Sequence, residues 1–172
     1  MGFIIVLRGR WRTIVVVNVH ASSVDKRDES TESFYEELEQ VLEHFPKCHM
    51  NILLGYFNAK VERENIFKQT IGQDSLHEDI NDNAVRLVNF ATSENLVVKS
   101  TMFPHRNVHK YTCTSPDGKN HKQIDHVLLD GRWHSSVLDV RNFRRAHCNT
   151  EHYLAICRQN NYMLCFHCAY KI

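Results

Sequence analysis

Residues 52–60 constrain the fold more than any other segment, because an apolar run there stops at a glycine and polar residues follow. A short apolar run that ends at glycine is typical of a buried strand whose tip turns sharply. In layered α/β folds, such strand tips commonly carry the polar residues of a site. We therefore expect a sharp turn at Gly55 and a site residue at Asn58. The same pattern also fits a simple turn residue at Asn58 and a core aromatic at Tyr56.

Two segments have the periodicity of amphipathic helices. In residues 28–45, apolar side chains recur at helical spacing, glutamates occupy the other face, and Pro46 ends the pattern. Residues 82–93 predict a second helix, whose core-facing positions are Ala84, Leu87, Val88 and Ala91. The polar segment 60–81 lacks clear periodicity and is predicted to be a long loop.

The remaining apolar segments are short and predict strands. Residues 3–7 and 13–18 are separated by a glycine turn and indicate a hairpin buried on both faces. A strand at 96–98 follows the second helix. Turn residues then separate four more short strands, at 111–114, 123–129, 136–143 and 152–156. Helices that alternate with strands, followed by a run of strands, predict an α/β chain.

Length and composition indicate one globular domain. The 172 residues are 42% apolar and 24% charged, which is ordinary for a soluble protein with one core. No apolar run is long enough for a membrane span, so we expect a soluble intracellular protein without a membrane partner, and the nucleus is a possible compartment. The oligomeric state is left open.

The charges are distributed unevenly, although the net charge is only +1. Residues 25–82 contain fourteen acids and six bases, whereas residues 99–145 contain nine bases, four acids and five histidines. The second segment predicts either a basic face that attracts a phosphate backbone or a solvated surface of mixed charge.

The six cysteines are scattered, which favours reduced thiols and argues against a disulfide-linked partner. Cys165 and Cys168 alone have the spacing of metal ligands. With Cys157 or His167 they would supply part of a zinc site, but no second close pair completes it. A tail with free thiols is the alternative.

Polar residues at predicted strand ends suggest a hydrolytic site. They are His20, Asn58, Asp125, Glu151 and His152. A carboxylate that orients a histidine, a carboxylate that holds a hard cation, and an amide that positions phosphate or water are the parts of metal-assisted phosphodiester hydrolysis. Each residue also has a structural interpretation: Asp125 in a buried salt bridge, His152 a satisfied strand histidine, and Glu151 a cap.

The motifs in their order resemble the endonuclease/exonuclease/phosphatase superfamily, in particular its retrotransposon-type endonuclease domains and craniofacial development protein 2-like sequences. The resemblance extends to about Arg158 and rests on these segments: Asn18-Val-His-Ala21, Leu54-Gly-Tyr-Phe-Asn-Ala-Lys60, Asn81-Asp-Asn83, Tyr111-Thr-Cys-Thr-Ser-Pro-Asp-Gly118, Ile124-Asp-His-Val-Leu128 and Glu151-His-Tyr153. It implies a two-sheet β-sandwich flanked by helices and spanning residues 1–158. Residues 159–172 are expected to form an unrelated tail.

The resemblance also implies the site roles. Family members cleave phosphodiester bonds, usually in DNA, with Mg²⁺ or Mn²⁺. Asn58 matches the asparagine that positions phosphate or water, and Asp125 matches the aspartate that orients the catalytic histidine, here His152. Glu151 takes the place of a metal-binding aspartate, and His20 that of an active-site tyrosine.

Three departures from the family pattern predict impaired or lost catalysis. Tyr56 replaces the aspartate that handles the proton of the nucleophile, and a phenol does not do so at neutral pH. Glu151 is one methylene longer than aspartate, which predicts weak metal binding. The family's first strand and a metal-binding glutamate have no counterpart in the sequence. The alternatives are a non-catalytic module that binds nucleic acid or protein, and a small zinc-supported interaction domain.

Overall fold

A computed structural model describes residues 2–10, 12–21, 28–63, 69–115, 117–143, 154–159 and 163–167, and gives the backbone only for residues 28–30, 154, 159 and 164–167. The helices are α1 (Asp28–Glu43) and α2 (Asp82–Ser93). The strands are β1 (Ile4–Arg8), β2 (Thr13–His20), β3 (Met50–Tyr56), β4 (Leu96–Val98), β5 (Cys113–Thr114), β6 (His121–Lys122), β7 (Asp125–Asp130), β8 (Val137–Phe143), β9 (Leu154–Gln159) and β10 (Met163–His167).

The strands form two main sheets. The larger has the order β1-β2-β3-β7-β4, and the smaller has the order β10-β9-β8. Strands β2 and β3 are parallel and are connected through α1, whereas β7 is antiparallel to both of its neighbours. Strands β5 and β6 form a separate small hairpin. Because β2 and β3 are parallel, their carboxyl ends lie beside each other at one end of the larger sheet.

One face of the larger sheet packs against the helices. Alternate residues of β2, Val15, Val17 and Val19, lie in a buried cluster with Leu38 of α1 and Leu87 of α2. The bounds predicted for α2 and its four core-facing positions are confirmed, since all four are buried. Asn81 caps this helix by accepting a hydrogen bond from the Ala84 amide at 3.0 Å.

The opposite face of the larger sheet packs against the smaller one. Ile14 and Val16 of β2 share a second buried cluster with Val137 and Val140 of β8 and Cys157 of β9. The two clusters lie on opposite sides of one sheet, with helices outside one cluster and the second sheet outside the other. The predicted two-sheet sandwich flanked by helices is therefore confirmed.

One prediction about β1 and one about β3 were wrong. The hairpin is present, but β1 is not buried, because residues 3–7 are each between 40% and 46% exposed. Strand β1 lies at the edge of the sheet, and the described residues do not cover either of its faces. Gly55 lies within β3, which continues to Tyr56, so the turn does not begin at the glycine.

The segments after α2 add three further findings. Lys99 and Lys110 are 5% and 6% exposed, which removes two bases from the predicted basic surface of residues 99–145. In the segment expected to be a tail, β10 pairs with β9. The side chains of Cys165 and Cys168, the pair with the spacing of metal ligands, lie outside the described residues. Among the described residues, no helix is both long and apolar enough to cross a membrane.

Candidate active site

Strand register brings His20, Tyr56 and Asp125 side by side. His20 is the partner of Tyr56 across β2 and β3, and Tyr56 is the partner of Asp125 across β3 and β7. Side chains at paired positions of neighbouring strands lie on the same face of a sheet. By the alternation along each strand, this is the face that packs against the smaller sheet. We call these three residues together with Asn58 the site rim.

Tyr56 is the central residue of the site rim. It is 8% exposed, and the ring of His20 stacks on it with centroids 5.0 Å apart and planes inclined at 28°. Burial, and to a lesser extent the neighbouring Asp125 and Cys113, raises the pKa of Tyr56 to about 12. At pH 7, only about one phenol in 10⁵ with that pKa is ionised. Tyr56 therefore does not accept a proton at neutral pH.

The Asp125 backbone is fixed by the segment that leads into β5. The hydroxyl of Thr112 accepts hydrogen bonds from the amides of Ile124 and Asp125, at 2.9 and 3.2 Å. Asp125 itself is 5% exposed. A small cavity beside it lies between the two sheets and is lined by Leu54, Gly55, Asp125, Val127, Asn142 and Ala155. A carboxylate is thus held at the end of the intersheet space.

Asn58 follows two residues after the strand, and its position is set through its backbone. It has a φ of +52°, a left-handed conformation that asparagine tolerates better than most residues. Its carbonyl accepts hydrogen bonds from the side-chain amides of Asn81 at 3.0 Å and Asn83 at 3.2 Å. Two side chains at the start of α2, from the N-cap Asn81 and from Asn83, thus hold the chain where it leaves β3.

Gly55 is required by close packing at the site rim. It has a φ of +138°, and a Cβ atom there would lie 2.0 Å from the carbonyl oxygen of Val19 and 2.9 Å from Oδ1 of Asn18. Asn18 is 3% exposed. The glycine allows β2 and β3 to approach each other directly beneath His20 and Tyr56.

A hydrogen bond from His126 connects β7 to the loop after β3, a role that the sequence did not reveal. Its Nε2 lies 2.8 Å from the Ala59 carbonyl, which only accepts hydrogen bonds, so Nε2 carries the proton. Its Nδ1 then accepts from the Ser100 hydroxyl at 2.9 Å. Burial lowers the pKa of His126 to about 4. Gln123, just before β7, has a similar structural role, since its side chain accepts a hydrogen bond from the Leu76 amide and donates one to the Ser100 carbonyl.

The structure does not test two of the predicted site residues. Glu151 and His152 lie outside the described residues, so the pairing of Asp125 with His152 stays a prediction. Among the described residues, no three His, Cys, Asp or Glu side chains lie close enough to hold a metal ion.

Comparison with known proteins shows similarity over most of the chain. No family model matches it. Craniofacial development protein 2 of Bos taurus is 32% identical over 151 residues, which are 88% of this chain and 25% of that protein. The protein of the same name from Tragulus javanicus is also 32% identical over 151 residues. The chain thus spans about a quarter of the length of the curated relatives it matches.

Two solved structures illustrate the similarity in fold. The endonuclease domain of TRAS1, a telomere-specific non-LTR retrotransposon, has a TM-score of 0.59 and 15% identity, and the match covers 87% of this chain and 57% of that chain. A 3′ phosphatase from Neisseria, bound to a product DNA hairpin, has a TM-score of 0.59 and 19% identity, with 91% of this chain and 64% of that chain covered. At these identities the similarity establishes the fold.

Proposed function

Because the chain is a homologue of craniofacial development protein 2 and has the endonuclease/exonuclease/phosphatase fold, we propose that its site rim descends from a phosphodiesterase site for DNA and that catalysis is impaired or lost. Tyr56 carries this proposal. It stands between His20 and Asp125, where the family has an aspartate, and its pKa of about 12 keeps it protonated at neutral pH.

The expected loss of rate follows from proton transfer. A positioned general acid or base typically contributes a factor of about 10²–10⁴ to an enzymatic rate. A neutral phenol donates a hydrogen bond but does not remove a proton from an attacking water. Asp125, His152 and Asn58 would still orient a phosphodiester, so binding is expected to survive better than cleavage.

A supercoiled-plasmid nicking assay with Mg²⁺ or Mn²⁺ tests the proposal. The 172-residue chain is expected to nick no faster than a buffer control, and Tyr56→Asp alone is expected to recover little. Tyr35→Phe is a matched control, because it also changes a buried tyrosine but lies in α1. Nicking by the unmodified chain that His152→Ala abolishes would refute impaired catalysis and leave an enzyme that works without the family's aspartate.

Metal binding gives an independent readout. We expect Mg²⁺ to bind weakly, because Glu151 is one methylene longer than the family's aspartate and Mg²⁺ tolerates poor geometry badly. Calorimetry of the chain with Mg²⁺ alone measures this affinity. Tight stoichiometric binding would contradict the expectation, and a Glu151→Gln variant that binds equally well would remove Glu151 as a ligand.

A non-catalytic binding module is the second candidate function, and the same substitution favours it. Replacing the proton-handling residue with tyrosine removes chemistry but leaves a hydrogen-bond donor at the site rim. Fluorescence anisotropy with labelled duplex DNA in EDTA measures binding without cleavage. It distinguishes both candidate functions from a protein that does not bind DNA. Binding without nicking supports the module, and the absence of both would refute a nucleic-acid function.

A further inference from the structure

Strand β1 is the outermost strand of the larger sheet. Strand β2 pairs with one side of it, and among the described residues no strand pairs with the other side, which we call the open edge. Residues 3–7 are each between 40% and 46% exposed, whichever face of the sheet they lie on. Of the five residues of β1, only the last, Arg8, is charged. The open edge is therefore apolar over most of its length.

The hydrogen bonds at the two ends of the β1–β2 hairpin show which backbone groups point outwards. The Asn18 amide donates to the Phe3 carbonyl at 2.9 Å, and the Gly9 amide donates to the Arg12 carbonyl at 3.0 Å. In an antiparallel pair, hydrogen-bonded positions alternate with non-bonded ones, so the odd-numbered residues of β1 bond to β2. The N–H and C=O groups at the open edge belong to the even-numbered residues, Ile4, Val6 and Arg8.

The other edge of the same sheet is covered by this chain itself. Strand β4 has only three residues, all of them buried. The Val98 amide donates to the Thr70 carbonyl at 2.7 Å, and Ile71 forms a bridge with Val98. Proteins protect edge strands with such coverings, or with lysine, proline or a bulge in the strand. Residues 4–7 of β1 contain none of these, so this edge is open to pairing.

We propose that β1 pairs with β1 of a second copy of this chain, antiparallel and centred on Val6. The five strands of each larger sheet then join into one sheet of ten strands. The outward residues meet each other, since Val6 lies opposite Val6 of the second copy and Ile4 lies opposite Arg8. Three outward N–H groups from each copy make six hydrogen bonds in all.

The side chains of β1 fit a second copy in this register. Ile5 lies opposite Leu7, which gives two apolar pairs on the face towards the smaller sheet, and Val6 meets Val6 on the face towards the helices. The two Arg8 side chains are four residues apart along the strands, or roughly 14 Å. Salt screens repulsion at that distance. The second copy therefore adds apolar contacts without opposing like charges.

A register shifted by one residue pairs the outward groups less completely. With Ile5 at the centre, Arg8 would lie opposite Gly2. The Gly2 amide donates to the Asn18 carbonyl of its own hairpin at 3.1 Å and so does not point outwards. The register centred on Val6 is the one in which each outward residue meets another outward residue.

The size of this interface predicts a dimer that dissociates on dilution. It contains five strand residues from each copy, whereas a standard interface has about 20–30 residues a side. The pairing leaves the two site rims apart. Each rim lies near the start of its own β1, because Ile4 pairs with Val17 close to His20, and the two β1 strands run in opposite directions. The proposal does not depend on the proposed function.

Two proline substitutions test the pairing. Val6→Pro removes an outward N–H and no bond to β2, so the fold is expected to persist. The dissociation constant of the dimer should rise at least about tenfold, because two of the six hydrogen bonds are lost. Ile5→Pro is the matched variant, at 42% exposure against 45% for Val6, and it removes a bond to β2 and should lower stability instead. Sedimentation equilibrium across the micromolar range measures association, and circular dichroism measures folding.

Cysteine substitutions test the register. The Cα atoms of a hydrogen-bonded antiparallel pair are about 5.5 Å apart, which a disulfide can span. Val6→Cys is therefore expected to form a disulfide-linked dimer on mild oxidation. Ile4→Cys is the matched control, because Ile4 is on the same face and 43% exposed but lies opposite Arg8. The unmodified chain, with its six cysteines, gives the background.

Each outcome decides the proposal. Cross-linking of Val6→Cys above both controls, with association that Val6→Pro weakens, supports it. A chain that stays monomeric across the micromolar range would overturn it. Association that Val6→Pro does not weaken would also overturn it, because another surface would then be responsible. Equal cross-linking of Val6→Cys and Ile4→Cys, or stronger cross-linking of Ile5→Cys, would refute the register centred on Val6.

Discussion

Gly55 sets the distance between β2 and β3 at the site rim. A methyl group there would overlap the Val19 carbonyl, and its φ of +138° is strained for any residue with a side chain. We predict that Gly55→Ala lowers the free energy of unfolding by at least about 3 kcal/mol, since strain of this kind costs roughly 1–3 kcal/mol before the overlap is counted. Denaturant titration followed by circular dichroism measures the change.

Gly118→Ala is the matched control for Gly55→Ala. Gly118 also has a positive φ, of +71°, but an added Cβ would meet no atom within 4 Å. Its cost should be only about 1 kcal/mol, from backbone conformation alone. Equal losses in the two variants would mean that close packing between β2 and β3 is not the reason for the glycine.

His126 makes stability depend on pH. Its pKa is lowered to about 4 in the folded state, against about 6.5 in an unfolded chain. The unfolded state therefore binds more protons between these values, and the stability that the neutral imidazole provides above pH 6.5 is lost as the pH falls towards 4. We predict that the free energy of unfolding decreases over this window. A His126→Gln variant should be less stable at pH 7 but should show a shallower pH dependence.

A second histidine is expected to act in the same direction as His126. Burial also lowers the pKa of His77, so His77→Gln should flatten the profile as well. A wild-type slope that His126→Gln does not alter would show that other groups, such as carboxylates, cause the acid destabilisation.

At the scale of elements, Asn81 connects α2 to the site rim. Its Oδ1 accepts from the amides of Ala84 and Lys60, and its Nδ2 donates to the Asn58 carbonyl. Losing an N-cap costs about 1 kcal/mol, and the two further hydrogen bonds add to it. We predict that Asn81→Ala lowers the free energy of unfolding by about 2 kcal/mol, measured by denaturant titration.

Two variants separate the roles of Asn81. Asn81→Asp keeps both acceptor bonds and places a negative charge at the helix N-terminus, so it should cost less than alanine. Val85→Ala, at a position of α2 that is 44% exposed, should change stability by no more than about 0.5 kcal/mol. If Asn81→Ala costs no more than Val85→Ala, the cap does not stabilise the helix.

The helices and strands could be predicted from the sequence better than the contacts around them. Apolar periodicity was sufficient to predict α2, and the short apolar run that follows it was sufficient to predict β4. The exposure of β1 was not predictable, because an apolar strand has the same composition whether or not another element covers it. Of the candidate site residues, His20 and Asp125 lie at strand ends as the sequence predicts. The Gly55 contact and the His126 hydrogen bonds join residues far apart in the chain, and no local pattern records them.

At the scale of the whole molecule, β1 is an exposed apolar edge. Such strands pair readily with other chains, so the protein should self-associate as its concentration rises. We predict that Ile5→Lys/Val6→Lys keeps the fold and shifts the protein towards monomer, measured by size-exclusion chromatography with light scattering. Val16→Lys is the control. Val16 is the β2 partner of Ile5 and is only 1% exposed, so a charge at this position should prevent folding. A wild-type chain that stays monomeric at high concentration would contradict the prediction.

The resemblance found in the sequence is confirmed at the level of homology and fold. It supplied the two-sheet architecture, which periodicity alone did not, since short strands in the second half fit several arrangements.

The position of β7 has a consequence for protein synthesis. This strand lies between β3 and β4, although it follows both in the chain. When synthesis has passed β4 but has not reached residue 125, the strand that pairs with both β3 and β4 is still missing. At that stage α2 has only part of a sheet to pack against. The nascent chain must therefore remain unfinished until residues 125–130 emerge, which exposes apolar strand edges to chaperones for several seconds at a typical rate of about 5–20 residues per second.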